Sequence, residues 1–442
     1  MFRQHVLTLP RLVIKQPIRR LNLKKELNKI QTTATRSDWL NSRLHHRSVT
    51  APDRRPKRAT RAASNHIFKQ QIGNDKGHSF LGSFSLVSQS LTMPKLYAIA
   101  DLHLSYKFNR EALQELTPHP FDSLILAGDI GESAQHLRYA FSTIRPKFQK
   151  VWWVPGNHEL YTMPSVAAPT NPSPAHLADL DPFFDPADAK DQRGEAKYMQ
   201  CVALAREYDI LTPEDGFEIW DAGAATSGEI DLQPHEAPIP VAIDSSSSTQ
   251  KNALICPIFT LYDYSFRPPE VLAGDARAWA AEHDLVATDE ALLHADPHPS
   301  KEAWCAALVA RFEARLGAAA ERARAEGLKL VIVNHWPLKQ RLAFLPSVPR
   351  FSIWCGTTLT EEWGRRFGAC VVVGGHIHIR RTDWIEGVRY EECSLGYPRQ
   401  WEGAREMGRD VNAMLREILP GPETPAEASK GGEVPTQWRR YG

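Results

Sequence analysis

Ser123-Leu-Ile-Leu-Ala127-Gly128-Asp129-Ile130-Gly131-Glu132 is a short apolar run that leads into two glycines and two acids. Such a run, closed by turn-forming residues, reads as a strand buried on both faces. Strands of that kind belong to sheets covered by helices. Gly128 lets the backbone leave the strand abruptly, so Asp129 is presented at the strand's carboxyl end. The same arrangement recurs four times. Leu96–Ala100 runs into Asp101-Leu102-His103, and Val151–Val154 into Gly156-Asn157-His158-Glu159. Leu328–Val333 runs into Asn334-His335, and Cys370–Val373 into Gly375-His376-Ile377-His378. Between these strands, Asn109–Leu116, Ser133–Ile144 and Lys301–Glu326 read as helices, the last stopped by Gly327. A helix over Glu195–Glu207 and a strand over Leu254–Tyr262 complete the reading. Alternating strands and helices predict an α/β layered sheet. Ligand sites in such sheets gather at the carboxyl ends of strands, which places all five polar clusters on one edge.

The clusters are rich in imidazole and carboxylate, donors that suit Zn, Fe and Mn. The six cysteines (Cys201, Cys256, Cys305, Cys355, Cys370 and Cys393) contain no C-x-x-C pair, which argues against an iron–sulfur or cysteine-rich zinc site and against a disulfide framework. A carboxylate can bridge two ions about 3.5–4 Å apart, the separation found in two-metal hydrolases. Each cluster alone has an ordinary structural reading: a loop, a turn, a capping pair, a buried histidine, an edge strand. All five in order, each after a strand, outweigh those readings.

The ordered set Asp-x-His, Gly-Asp-x-x-Glu, Gly-Asn-His-Glu, His and Gly-His-x-His resembles the calcineurin-like metallophosphoesterase superfamily over roughly Leu96 to Tyr397. Tyr262-Asp-Tyr-Ser-Phe266, Arg350-Phe-Ser-Ile-Trp-Cys-Gly356 and Ser394-Leu-Gly-Tyr-Pro398 look like segments of uncharacterised bacterial members. The resemblance implies a two-sheet sandwich flanked by helices, with a long insertion at about 161–325. It implies that Asp101, His103 and His378 hold one metal, that Asp129 bridges, and that Asn157, His335 and His376 complete a second site. The ions would be Mn, Fe or Zn. By the same resemblance His158 faces the leaving-group oxygen, and Glu132, where the family often has Asp, orients His158. The implied reaction is hydrolysis of a phosphomonoester or phosphodiester by hydroxide held between two metals, without a covalent intermediate. A small phosphoester is the favoured substrate and nucleic acid a less favoured one. A non-catalytic scaffold or a metal-buffering protein on the same fold is the competing class, and His158 beside a full ligand set favours the enzyme. Arg350 and Arg399 read as surface ion pairs first and as phosphate contacts second.

Charge divides the chain. Residues 1–92 hold 18 Lys and Arg against 4 Asp and Glu, so their +14 within a total of +1 leaves −13 for the remainder. An acidic body suits a collector of cations more than a binder of nucleic acid. The basic extension reads as disordered or as a mitochondrial targeting segment, with a cytoplasmic protein as the main expectation and a functional start at Met93 as a further possibility. No apolar run approaches the roughly 20 residues of a membrane span. The stretch at about 222–251 reads as a flexible part of the insertion. Residues 404–442 read as a C-terminal helix followed, after Pro420, by a disordered tail.

Overall fold

The structure is a computed structural model and describes residues 93–163, 192–223, 252–431 and 434–439. The basic extension 1–92, the loop at 164–186 and nearly all of the 222–251 stretch lie outside the described residues. Among the described residues the strands are β1 (Leu96–Ile99), β2 (His119–Leu126), β3 (Phe148–Trp153), β4 (Glu218–Trp220), β5 (Ala253–Pro257), β6 (Lys329–Val333), β7 (Val371–Gly374), β8 (Arg381–Ile385), β9 (Val388–Glu392), β10 (Arg416–Leu419) and β11 (Gln437–Trp438). One sheet has the order β10-β1-β2-β3 and the other β11-β8-β9-β7-β6-β5-β4. The strands that lead to the polar clusters pair in parallel: β1 with β2, β2 with β3, β5 with β6 and β6 with β7.

Side-chain alternation explains why two sheets stack. Leu96, Ala98, Ile125, Trp152 and Val154 of the first sheet share one buried cluster with Ile255, Val331, Val333, Val371 and Val373 of the second. Their strand neighbours Ile99, Leu124, Leu126, Val151, Trp153, Leu254, Leu330, Ile332 and Val372 belong to another cluster, which contains the helices. Period-2 alternation thus sends one set inward between the sheets and the other outward. Trp152 and Trp153 are both buried, on opposite faces.

The longer helices are α1 (Lys107–Gln114), α2 (Ala134–Ile144), α3 (Gly194–Glu207), α6 (Lys301–Glu326) and α8 (Pro398–Glu406); α4 (Ala276–Ala281), α5 (Asp289–Leu292), α7 (Trp363–Arg366) and α9 (Ala426–Ser429) are short. The Ser133 hydroxyl accepts the backbone N–H of His136 at the start of α2, and Ser300 does the same for Ala303 at the start of α6. Buried Trp304, Leu308, Phe312, Leu316, Ala319 and Ala323 form the inward stripe of α6, and Gly327, at φ 65°, ends it. The result is a two-sheet α/β sandwich with helices outside.

Three expectations fail. The segment after Pro420 is not structureless: it forms α9 and then β11, which pairs antiparallel with β8. The Arg439 guanidinium reaches the buried Glu391 carboxylate at 2.7 Å, and the Thr436 hydroxyl donates to Asp383 at 2.6 Å. These polar anchors substitute for the apolar residues the segment lacks. The C-terminal helix begins at Pro398 instead of inside 404–442, and the chain then forms β10 against β1. The strand expected over Leu254–Tyr262 is also shorter and ends at Pro257.

Candidate metal centre

The polar clusters sit in loops that hydrogen bonds hold beyond the strand ends. Asp101 N donates to Gly128 O at 2.9 Å, His103 N to Asp129 O at 3.0 Å and Gly375 N to His335 O at 3.0 Å. Five side chains expected to bind metal have left-handed backbones: Asp101 (φ 53°), His103 (42°), Asp129 (53°), His376 (73°) and His378 (55°). Such angles are uncommon outside glycine and cost about 1–3 kcal/mol each unless the surroundings enforce them. Strain concentrated on these residues marks the edge as a functional site. Gly128 is required by contact as well as by φ, since a Cβ there would stand 2.6 Å from His335 Nδ1. A Cβ on Gly375 would run into the Asp101 carboxylate.

The side chains converge in two groups that share one carboxylate. Asp101, His103, Asp129 and His378 each offer a donor atom, all within 4.8 Å of one another, and Asp129, His335 and His376 form a second such group. In the first group, His378 Nε2 is 3.0 Å from both His103 Nε2 and Asp101 Oδ1. In the second, His335 Nε2 is 3.5 Å from Asp129 Oδ2, and His376 Nδ1 is 3.1 Å from Asn157 Oδ1. Donors about 2.1 Å from a common ion, at angles between a right angle and a tetrahedral one, stand about 3.0–3.4 Å apart. The 3.0 and 3.1 Å separations fit that requirement, and the 3.5 Å between His335 and Asp129 lies just beyond it. His335 Nε2, the atom that faces Asp129, is buried without a hydrogen-bond partner, a costly state that an ion in contact with it would relieve.

Surrounding groups aim these donors. His335 Nδ1 donates to Ala127 O at 2.8 Å, which turns Nε2 towards Asp129. His378 Nδ1 faces Gln400 Oε1 at 3.0 Å, which leaves Nε2 for the site. The Ser394 hydroxyl donates to Asp101 Oδ2 at 2.6 Å. The amide of Asn157 donates to Asp289 Oδ1 (3.1 Å) and to the Tyr161 hydroxyl (2.9 Å), and Tyr161 in turn donates to Asp289 at 2.7 Å. With its nitrogen engaged, Asn157 presents its oxygen to His376. The carboxylate of Glu159 accepts the backbone N–H groups of Asp129, Ile130 and Gly156 and so ties the second loop to the third. Glu159 stood inside a motif without a role. Asp289 and Gln400 escaped the sequence reading because each is a lone polar residue away from the five strand ends, and Ser394 stood in a quoted segment without a role.

His158 lies beside the shared carboxylate, outside those two groups but in a third set of donor atoms with His103 and Glu132. Its Nε2 is 3.8 Å from Asp129 Oδ2, and its Nδ1 is 2.8 Å from Glu132 Oε1. Burial opposes the charged form, yet Asp129 and Glu132 raise the pKa of His158 from 6.5 to about 10. Burial likewise opposes ionisation of Glu132, and the bond to His158 overrides it, holding the carboxyl at about 2. Both shifts favour an imidazolium–carboxylate pair. Burial, with the neighbouring histidines, pushes His103 and His376 down to about 3 and keeps both neutral, the form that ligates metal. Asp101 is held at about 2, against its burial, by His378 and His335.

Of the two arginines considered for phosphate, Arg350 is engaged elsewhere: it pairs with Glu282 at 2.8 Å and stacks on Trp279. Arg399 is exposed and lies over the Tyr397 ring beside the first group. Tyr262 and Tyr264 are buried, and Asp263 accepts from Thr357, all as packing.

Comparison with known proteins agrees with this geometry. The chain is 37% identical over 338 residues to the [acyl-carrier-protein] phosphodiesterase PptH of Mycobacterium tuberculosis, which covers 75% of this chain and 85% of the relative. The crystal structure of phosphopantetheinyl hydrolase (PptH) from the same organism superposes with a TM-score of 0.56 at 36% identity, covering 76% of this chain and 99% of that one. The family model "Calcineurin-like phosphoesterase" matches residues 94–380. The chain belongs to the calcineurin-like phosphoesterase family and is a metal-dependent phosphoester hydrolase.

Proposed function

We propose that this enzyme is a two-metal phosphodiesterase that removes the phosphopantetheinyl group from acyl carrier protein. The observation that carries the reading is the Asp129 carboxylate, which belongs at once to the Asp101–His103–His378 group and the His335–His376 group. The substrate rests on similarity across nearly the whole length of PptH. A protein-attached ester then replaces the small phosphoester expected from the sequence.

Two ions held by these residues, drawn from Mn, Fe and Zn, would polarise phosphoryl oxygens and supply a nucleophile near neutral pH. The chain's own groups do the rest. Asp129 holds the two halves of the site together, and Asn157, gripped by Asp289 and Tyr161, keeps its oxygen on the second half. His158, protonated through its bond to Glu132, donates a proton to the oxygen that leaves with the carrier protein. The bond between phosphorus and that oxygen breaks as water's oxygen joins phosphorus, and the carrier regains a hydroxyl.

The test uses the full chain with each metal supplied and phosphopantetheinyl acyl carrier protein as substrate, read by intact-protein mass spectrometry. The reading requires the carrier to lose its phosphopantetheinyl group. An unchanged carrier alongside hydrolysis of a chromogenic phosphodiester would refute the substrate and leave the chemistry standing.

A further inference from the structure

The segment Ser394-Leu-Gly-Tyr-Pro398 follows β9 and is built onto the first metal loop. Ser394 pairs with Ala100 in a parallel bridge. Leu395 N donates to Ala100 O at 2.8 Å, and Gly396 N donates to Asp101 O at 3.0 Å. The buried amide of Asn109 clamps the same place, donating to Gly396 O (3.0 Å) and Leu102 O (2.8 Å). On the other side, Tyr397 N donates to Gln400 Oε1 at 2.8 Å, the same oxygen that faces His378. The backbone of Tyr397 is thus fixed from both directions and moves with the metal loop.

Its ring covers two expected ligands. The centroid lies 4.4 Å from that of His103, nearly parallel at 29°, and 4.6 Å from that of His378, edge on. The phenol at the far end of the ring is in electrostatic reach of Asp129, Asp101 and Glu132, and of the Tyr161 hydroxyl. A phenol is a hydrogen-bond donor at neutral pH, and the reacting group that comes to the site lined by His103 and His378 is a phosphoryl group, whose oxygens accept.

We propose that Tyr397 is a catalytic residue of the hydrolysis, its hydroxyl donating a hydrogen bond to a non-bridging phosphoryl oxygen. The inference rests on the two groups around Asp129 being the hydrolytic centre, and it does not depend on which ester is the natural substrate. Tyr397 keeps its proton throughout: the proton that the leaving oxygen needs comes from His158, and the phenol only stabilises the negative oxygens as their charge is redistributed. Half-exposed Tyr106, edge on to Tyr397 at 5.7 Å, and exposed Arg399 over the same ring extend this wall outward.

The experiment is Tyr397→Phe in the full, metal-loaded chain, which keeps the ring and removes the hydroxyl. Turnover of a chromogenic phosphodiester and inhibition by inorganic phosphate are both measured, with metal content as the control. The expected result is a fall in kcat/KM of about 100-fold, in line with loss of one preorganised donor, and phosphate inhibition weakened about tenfold, at unchanged metal content. A variant within about twofold of the parent in both readouts overturns the proposal. So does a variant that loses its metals, because Tyr397 would then serve only to support His103. Failure on the carrier protein alone touches neither readout, so it bears on the substrate and not on Tyr397.

Discussion

Replacing Glu132 with Gln isolates the part of the site that should govern proton delivery. The carboxylate stands 2.8 Å from His158 Nδ1, and both side chains are only 15% exposed, so solvent screens the pair little. A hydrogen bond to a charged partner is worth about 1.5–3 kcal/mol, which corresponds to about 1–2 pH units on His158. The sign follows from the direction of the shift. A raised histidine is in its acid form below its folded pKa, so activity persists through neutral pH and falls as pH rises through that value. The fall should begin above the ordinary 6.5 and no higher than about 10, since bound cations draw the value downward. In Glu132→Gln the alkaline limb of the pH–rate profile should move acidward by about 1–2 units. The loss of rate should also depend on the leaving group, small for an aryl ester that departs unaided and large for an alkyl ester that needs a proton. Superimposable pH limbs, with equal losses on both esters, would refute proton donation by His158.

Two further outcomes follow from polar contacts outside the motifs. Asp289→Ala should strip the Asn157 amide and the Tyr161 hydroxyl of their acceptor, costing about 1–3 kcal/mol per unsatisfied group and about 10–100-fold in affinity for the ion at His335 and His376; thermal unfolding and metal titration read the two effects. Truncation before Thr436 should remove the Arg439–Glu391 and Thr436–Asp383 contacts and lower Tm, while turnover per folded, metallated chain stays unchanged. A matching loss of turnover would mean that this strap shapes the site.

The strands leading into the site were readable because burial on both faces leaves a continuous apolar run, as in Val371-Val-Val373, and each glycine or polar break then marks a carboxyl end. The candidate metal ligands stood out in the sequence for the same reason: five such breaks carry the imidazoles and carboxylates. β8 and β9 were not readable because their buried charges are neutralised by partners that the sequence does not reveal. Arg381 pairs with Asp383, while Glu391 lies between Arg389, Arg416 and Arg439. A run such as Arg381-Thr-Asp-Trp-Ile385 therefore resembles an exposed loop. Asp289 was hidden differently, since a single acid opening a four-residue helix inside a long interval has no pattern around it until the fold brings it to Asn157. The ordered C-terminal segment is the same lesson in reverse, a polar stretch anchored by one arginine on a buried carboxylate.

The shared carboxylate of Asp129 is the feature on which the account stands, and metal stoichiometry tests it most directly. Elemental analysis of the purified full chain, supplied with Mn, Zn and Fe, should find about two ions per active chain, with Asp129→Asn losing both metal and turnover. A fully active parent with one ion or none, or an Asp129→Asn variant that keeps two ions and full turnover, would contradict it.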